Sequence, residues 1–500
     1  MQGKKTETQV AIIGGGIMGV AVARELSKYH VDVCLVEKEA GIGFGITKGS
    51  LGVLHSALGL SSSKLVKWWD SSGDLKTYLG QPLRLKEKLN IAGHRMFLEL
   101  EPQLNAKIHK CGRIMVARDE KDLNVLRIIK EVSKEKEGVE LELLDKKALE
   151  EKEPALDSKF IGGLFDPHEY SVFPTEWAIA FAENARDNGV HILLETEILD
   201  IEEKKNTFRL KTNRGTIESR FVINAAGLYS DKIAKMIDSI DWSFILWKNE
   251  LLILENRNYL NHIVSEVIKP QQPRVMVPTP EVNIECGVVM TLSDDKRDVS
   301  ATREGLEQMA AYPSFYVPGM SFKKDIIKYF VGYMHFNSRN PDDYLVEWPR
   351  KTFLNLISCA PGIAPSAAIA MDVVKELGER GLELDRKSDF NPYRVKEQKF
   401  IELPADIKNE KIRENPRCGH IICRCEKTSE QEIREAITQG ARTLDEIKFK
   451  TWIGMGRCQG GFCTSRVLKI MSEELGVSPL QLKQKGDRSY ILKSETKKMV

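Results

Sequence analysis

The stretch that most constrains this chain is Val10-Ala11-Ile12-Ile13-Gly14-Gly15-Gly16-Ile17-Met18-Gly19. An apolar run of strand type meets Gly-x-Gly-x-x-Gly at Gly14, Gly16 and Gly19, and a helical pattern follows through Leu26. A second apolar run, Val31 to Val36, ends in Glu37. Strand, glycines, helix, strand and acid fall in order within about 30 residues, as a dinucleotide-binding βαβ unit requires. Gly14 permits the tight turn, Gly16 admits a pyrophosphate to the backbone, and Gly19 lets helix and strand approach closely. The helix N-terminus offers free N–H groups to the anion, and Glu37 can accept from ribose hydroxyls. An acid at that ribose argues against a 2′-phosphate, and so against NADP.

A chain of 500 residues suggests about three domains. With 42% hydrophobic and 29% charged residues, a sizeable core and a soluble surface are expected. The net charge of +2 gives no reason to expect nucleic acid. The polar Met1–Thr8 leads straight into the first strand, and no run of about 18 apolar residues occurs. A cytoplasmic protein without a signal peptide is therefore expected. Five of the nine cysteines crowd between Cys418 and Cys463. Such clustering points to metal or redox ligation rather than disulfides.

The loop Gly41–Gly52 is too glycine-rich for a helix or central strand and suits close backbone approach to a ligand. His55 follows at once; alone, a histidine there is more often structural than catalytic. Residues 64–150 read as mostly helical and charged, with a strand at Lys110–Ala117. An amphipathic helix is expected over Glu176–Asn188, and strands over His191–Leu194, Phe208–Thr212 and Phe221–Ile223. Residues 245–345 alternate apolar runs with turns and hold Pro270, Pro273, Pro278, Pro280, Pro313 and Pro318. They read as a mostly antiparallel sheet inserted in the nucleotide domain. The chain returns through Leu354–Cys359, Ala360-Pro361-Gly362-Ile363 and a small-residue helix. The polar stretch 386–416 reads as a linker, 417–480 as a compact domain, and 481–500 as a tail with six Lys or Arg against Asp487 and Glu495.

The glycine motif with Glu37, the run Ala225-Ala226-Gly227 and the late Pro361-Gly362 together resemble the FAD-dependent amino-acid and glycerol-3-phosphate oxidoreductases. These are D-amino-acid-oxidase-like enzymes with a glutathione-reductase-type nucleotide domain. The resemblance covers roughly residues 8–385. Gly52-Val53-Leu54-His55-Ser56, Asp166-Pro167 and Phe173-Pro174 look like the glycerol-3-phosphate dehydrogenase and 2-hydroxyglutarate oxidase branch. The implied fold is α/β: an FAD-binding Rossmann domain in pieces (about 8–60, 150–235 and 350–385) with a substrate domain from about 64–150 and 236–349. The resemblance places FAD along Gly14, Gly16, Gly19, Glu37, Lys38, Thr47, Lys48, Ser50, Ala226, Gly227, Pro361, Gly362 and Ile363. A helix starting near Gly362 would turn its positive end to the flavin and favour the reduced anion.

Some positions depart from the branch. The family usually carries Gly-x-Arg on a strand facing the flavin, and Met334 stands in the arginine's place here. The Asn-Ser before Gly52 is Ser50-Leu51, and the Gly-Asn…Gly-Pro-Thr strand survives only as Asn283…Gly287-Val288. His335, Arg339, Lys248 and Tyr333 are the candidate replacement polar groups, and His55 is the candidate base.

The second motif is Cys423-Arg424-Cys425, then 32 residues, then Cys458-Gln459-Gly460-Gly461-Phe462-Cys463. Two close thiolate pairs suit a metal centre, and Cys-x-Cys fits poorly with the usual zinc spacing. The spacing resembles the bacterioferritin-associated-ferredoxin-like [2Fe-2S] module, a small helical domain. The resemblance implies Cys423, Cys425, Cys458 and Cys463 as ligands. Arg424 and Arg457 could offset the cluster's negative charge.

The expected enzyme is an FAD-dependent dehydrogenase of a small anionic hydroxy compound, glycerol 3-phosphate or a 2-hydroxy acid. Electrons would pass through the cluster to a protein or quinone acceptor. The alternatives are an amino- or imino-acid dehydrogenase and a non-catalytic electron-transfer subunit. An NAD-linked reductase would need a second Gly-x-Gly-x-x-Gly, and none follows residue 60. The basic tail suggests docking to an acidic partner, or peripherally to the inner face of the membrane.

Overall fold

The computed structural model describes residues 4–56, 82–267, 274–281, 283–341, 343–396 and 398–495. Pro270 and Pro273, much of the expected helical stretch from 64, and Lys497 and Lys498 of the tail lie outside these.

The nucleotide domain is built on the strand Lys4–Ile13. It pairs in parallel with Val33–Val36 on one side and Gly215–Asn224 on the other. His191–Leu193 and Phe353–Ile357 extend the parallel core. Central strands of this kind are covered on both faces, and Val10 to Ile12 are fully buried. The helix Ile17–Leu26 is buried along its whole length. It packs in a layer with Pro174–Asp187 and Ser366–Glu379. Pro174 sits in the first turn, where its missing N–H costs nothing.

The second sheet runs in the order Ile326–Asn337, Phe244–Glu255, Asn283–Ser293, Val275–Pro278, Ile263–Glu266, Arg113–Ala117, Gly162–Asp166, Glu142–Asp145. Every pairing is antiparallel except Ile263–Glu266 with Arg113–Ala117. The helix Arg303–Tyr316 packs on this sheet and contributes Met309, Tyr312 and Tyr316 to its core. The segment read as helical through Leu149 departs from expectation. Its helix Glu120–Val132 gives way after Gly138, and Glu142–Asp145 becomes an edge strand with Leu144 buried. Local charge density masked a strand whose partner lies later in the chain.

The C-terminal domain has helices at Glu430–Thr438, Leu444–Thr451 and Thr464–Leu475 around Ile433, Ile447, Val467 and Met471. Ser429 with Glu432, and Thr443 with Glu446, form reciprocal capping boxes. The stretch 386–416 is not a free tether. Lys387 N–H donates to Lys28 O, Asn391 O accepts from Asn184, Arg394 pairs with Glu183 at 2.6 Å, and Ala405–Glu414 is a helix. The start of the basic tail is also occupied: Leu482 is buried in the C-terminal core and Lys483 pairs with Glu195 at 3.6 Å. That part does not stand free as a docking patch. No helix among the described residues is long and apolar enough to cross a membrane.

Candidate flavin and iron-sulfur sites

The glycine turn is shaped by backbone crowding. Gly14 has φ +112°, and a Cβ there would meet Ala225 O at 2.4 Å; one on Gly19 would meet Gly14 O at 2.0 Å. Gly16 differs: the nearest atom to its Cβ position is Thr47 Oγ1 at 3.6 Å, leaving open space at the helix N-terminus. Ile17 N–H donates to that Thr47 hydroxyl at 3.1 Å. Glu37 Oε2 accepts from Gly15 N–H at 2.6 Å and Oε1 from Glu39 N–H at 2.8 Å.

These groups line a cavity of about 1950 Å³. Gly14, Gly16, Glu37, Lys38, Thr47, Lys48 and Ser50 border it from the nucleotide domain. Ala226, Gly227, Pro361, Gly362 and Ile363 border it from the returning segments. Gly19 stays outside, inside its helix. Lys38 lies over the Tyr229 ring at 3.5 Å. The strand Ile326–Asn337 meets the glycine loop so closely that a Cβ on Gly332 would sit 2.5 Å from Gly49 O. By strand alternation Met334 shares the face of Gly332, and it too lines the cavity. The helix expected from Gly362 begins instead at Ser366. A start at Gly362 would make Pro365 its fourth residue, the first that must donate an N–H, and proline has none.

His55 borders the cavity, and its Nδ1 lies 2.8 Å from Glu169 Oε1. Arg113 Nη1 reaches the same oxygen at 2.9 Å, and its other nitrogens donate to Ser265 Oγ. Burial pushes the Glu169 carboxyl up, but the charges of Arg113 and His55 and their hydrogen bonds outweigh it and hold it at about 2. When the imidazole is neutral, an ionised Glu169 favours the tautomer with the proton on Nδ1, which leaves Nε2 with its lone pair. Asn90 Nδ2 donates to His55 O at 2.9 Å. Neighbouring Ser56 donates to Asp166, whose carboxyl is raised to about 6, first by burial and then by the charge of Glu169.

Of the other two catalytic candidates, His335 lines the same cavity as His55 and Arg339 does not. His335 sits on the strand face opposite Gly332 and Met334, edge-on to Phe244 at 4.8 Å. Its Nε2 has no hydrogen-bond partner, and burial, then the charge of Lys296, lower it to about 4. Arg339 is a correction: it lies outside the cavity wall, half-exposed, bound to Asp241 at 2.9 Å and to Glu347. Lys248 pairs with Asp298 at 2.7 Å, and the Tyr333 hydroxyl donates to Asp295 O and Asp298 O.

The four motif cysteines come together as two pairs. Cys425 Sγ lies 3.8 Å from Cys458 Sγ, and Cys423 is in hydrogen-bond contact with Cys463. Among the described residues no three His, Cys, Asp or Glu side chains converge on a single ion. Two thiolates per iron is what a two-iron cluster requires, whereas a zinc site gathers four ligands on one ion. The Cys463 thiol, and the N–H groups of Gly454, Glu426 and Cys425, draw Cys423 down to about 5 against the effect of burial. Gly460 and Phe462 N–H groups serve Cys458. Arg457 is engaged elsewhere, with Glu255 at 2.7 Å.

Residues 9–376 match the family model described as FAD dependent oxidoreductase, and residues 421–473 match the BFD-like [2Fe-2S] binding domain. The chain belongs to the FAD dependent oxidoreductase family. A glycerol 3-phosphate dehydrogenase of Caloramator mitchellensis is 34% identical over 98% of this chain and 99% of the relative. An L-2-hydroxyglutarate dehydrogenase of Escherichia coli is 27% identical over 52% of this chain and 58% of the relative. Among solved structures, the FAD-bound, dithionite-reduced L-alpha-glycerophosphate oxidase of Mycoplasma pneumoniae superposes with a TM-score of 0.70 at 22% identity. It covers 78% of this chain and 99% of that one.

This oxidoreductase has room for FAD where its family places it. The open space at Gly16, the unblocked helix N-terminus and the lone pairs left on Glu37 fit a pyrophosphate and a ribose. The paired thiols with their N–H donors fit a [2Fe-2S] cluster. The C-terminal domain closes one side of the cavity, through Glu426, Asp445, Lys448, Phe449, Trp452 and Met455. Phe449 meets Phe44 at 5.5 Å, and Trp452 meets Phe173 at 4.3 Å. Glu169, Arg113 and this wall were not foreseen from the sequence. The pairing of Arg113 with Glu169 spans 56 residues and leaves no local pattern.

Proposed function

We propose that this oxidoreductase is a dehydrogenase of a small anionic hydroxy compound, with glycerol 3-phosphate ahead of 2-hydroxy acids. Its electrons leave through the cluster to a protein or quinone acceptor. The observation that carries the reading is the likeness to the Caloramator glycerol 3-phosphate dehydrogenase, which runs through both domains. In this reading His55 takes the substrate hydroxyl proton on Nε2, while Glu169 stabilises the resulting positive imidazole. FAD, when bound, supplies hydride acceptance and one-electron release. Cys423, Cys425, Cys458 and Cys463 hold the cluster. Glu426, next to Cys425, and Met455, three residues before Cys458, line the flavin cavity, so the two centres share a wall. On the outer side Cys425 is exposed and Phe462, 82% exposed, offers an apolar contact beside Cys463 to an acceptor protein.

Met334 in the cavity wall favours a second reading, in which substrate chemistry has been lost and the chain only transfers electrons. Anaerobic titration of the holoprotein decides between them. Glycerol 3-phosphate, a 2-hydroxy acid panel and an amino-acid panel are added in turn, and the visible absorbance of the oxidised flavin is followed. Bleaching by glycerol 3-phosphate supports the first reading. Bleaching by amino acids alone, or by no compound, overturns it.

A further inference from the structure

We infer that Lys48, which the resemblance places on the FAD loop, is joined by Lys328, Lys448 and Lys485 in a binding site for a small phosphate-bearing molecule, distinct from the FAD pyrophosphate position at Gly16, at the seam between the oxidoreductase and cluster domains. The four come from separate segments: the glycine loop, the strand Ile326–Asn337, the helix Leu444–Thr451 and the chain beyond Gln481. All four line the shared cavity. The Lys328 and Lys448 side chains lie within hydrogen-bond reach of each other, and Lys48 feels the charges of Lys328, Lys448 and Lys485.

Like charges gathered at this range repel, and the acidic neighbours are few. Asp445 lies among the lysines and also accepts from Gln484 Nε2 at 2.5 Å. Glu39 is nearby but pairs with Lys38 at 3.4 Å. Among the described residues none of the four lysines has a carboxylate within ion-pair distance. Desolvation, then the charge of Lys448, lowers Lys328 to about 8, and desolvation lowers Lys48 as well. A multiply charged anion relieves this repulsion and favours the charged form of both amines.

Two features separate the site from the dinucleotide's own phosphates. Lys448 and Lys485 lie beyond residue 376, where the match to the flavin-binding family ends. The expected pyrophosphate position is at Gly16 and Ile17, where backbone N–H groups are the donors. Lys328 is half-buried in the cavity wall, so a small anion reaches it where the carboxylates of a protein surface do not.

The test is calorimetric titration of inorganic pyrophosphate into holoprotein loaded with FAD and cluster. Saturable binding is expected, and Lys448→Ala with Lys485→Ala should weaken it by about tenfold or more. FAD content and the visible spectrum of that variant should be unchanged, and Lys448→Arg should retain binding. The proposal is overturned if pyrophosphate does not saturate, or if the double variant binds it equally well. It is also overturned if the double variant loses FAD in step with pyrophosphate, because the lysines then serve the dinucleotide itself.

Discussion

Glu169 accepts a hydrogen bond from His55 at 2.8 Å across 114 residues of sequence. One partner follows the glycine loop and the other precedes the strand Tyr170–Val172, which pairs with Val53–Leu54. That short antiparallel contact brings the histidine to its carboxylate, and Arg113 secures the carboxylate from the second sheet.

The pair makes Glu169 a positioning residue. Glu169→Gln should lower kcat with glycerol 3-phosphate about 100-fold while FAD and iron content stay at wild-type levels. The pH dependence of kcat should move as well, because the amide no longer stabilises a charged imidazole. An unchanged pH profile would show that Glu169 only supports the fold.

Gly16→Val should give folded apoprotein. The chain itself leaves room at that Cβ, whose nearest neighbour is 3.6 Å away, so the loss falls on the cofactor. Circular dichroism should match wild type while acid extraction yields little FAD. Full flavin occupancy would place the pyrophosphate elsewhere.

Cys458→Ser removes one partner of the Cys425 pair. Substrate should still bleach the flavin anaerobically, because hydride transfer does not involve the cluster. Turnover with the physiological acceptor should collapse. If that turnover survives loss of the cluster, the cluster has a structural role and the electron path is wrong.

Glu285 lines the cavity and is largely buried, with Oε1 unpartnered. Burial raises its carboxyl from 4.5 to about 8. The folded state therefore holds the proton more tightly than the unfolded chain. Its contribution to stability is full below pH 4.5 and declines as pH rises to about 8, where the folded group ionises too. Glu285→Gln should flatten that decline. Melting temperatures of holoprotein from about pH 5 to 8.5 should fall more steeply for wild type than for the variant. Parallel curves would mean that Glu285 is already ionised.

The dinucleotide unit and the cysteine motif were legible because each is local. Gly14 to Gly19 states a turn, a close approach and a helix start within ten residues: Gly14 and Gly19 answer backbone crowding in the fold, and Gly16 leaves open space at the helix N-terminus. The same holds for Cys-x-Cys and the later Cys-Gln-Gly-Gly-Phe-Cys, whose thiols form the two pairs. The start of the late helix was misread by four residues, although Pro365 carried the signal.

The sequence by itself determined which chemistry this protein can carry, a flavin dinucleotide and four thiolates, because those groups are recognised by backbone shape over a few residues. Only the tertiary structure decided what surrounds them. It withdrew Arg339 to surface carboxylates, set His335 in the cavity wall edge-on to Phe244, tied Glu169 to both His55 and Arg113, and set the cluster domain against the flavin cavity through Trp452 and Phe173. Those contacts join segments tens to hundreds of residues apart. Their energy comes from burial and charge pairing that exist only after the sheets have formed, so no periodicity or spacing along the chain records them.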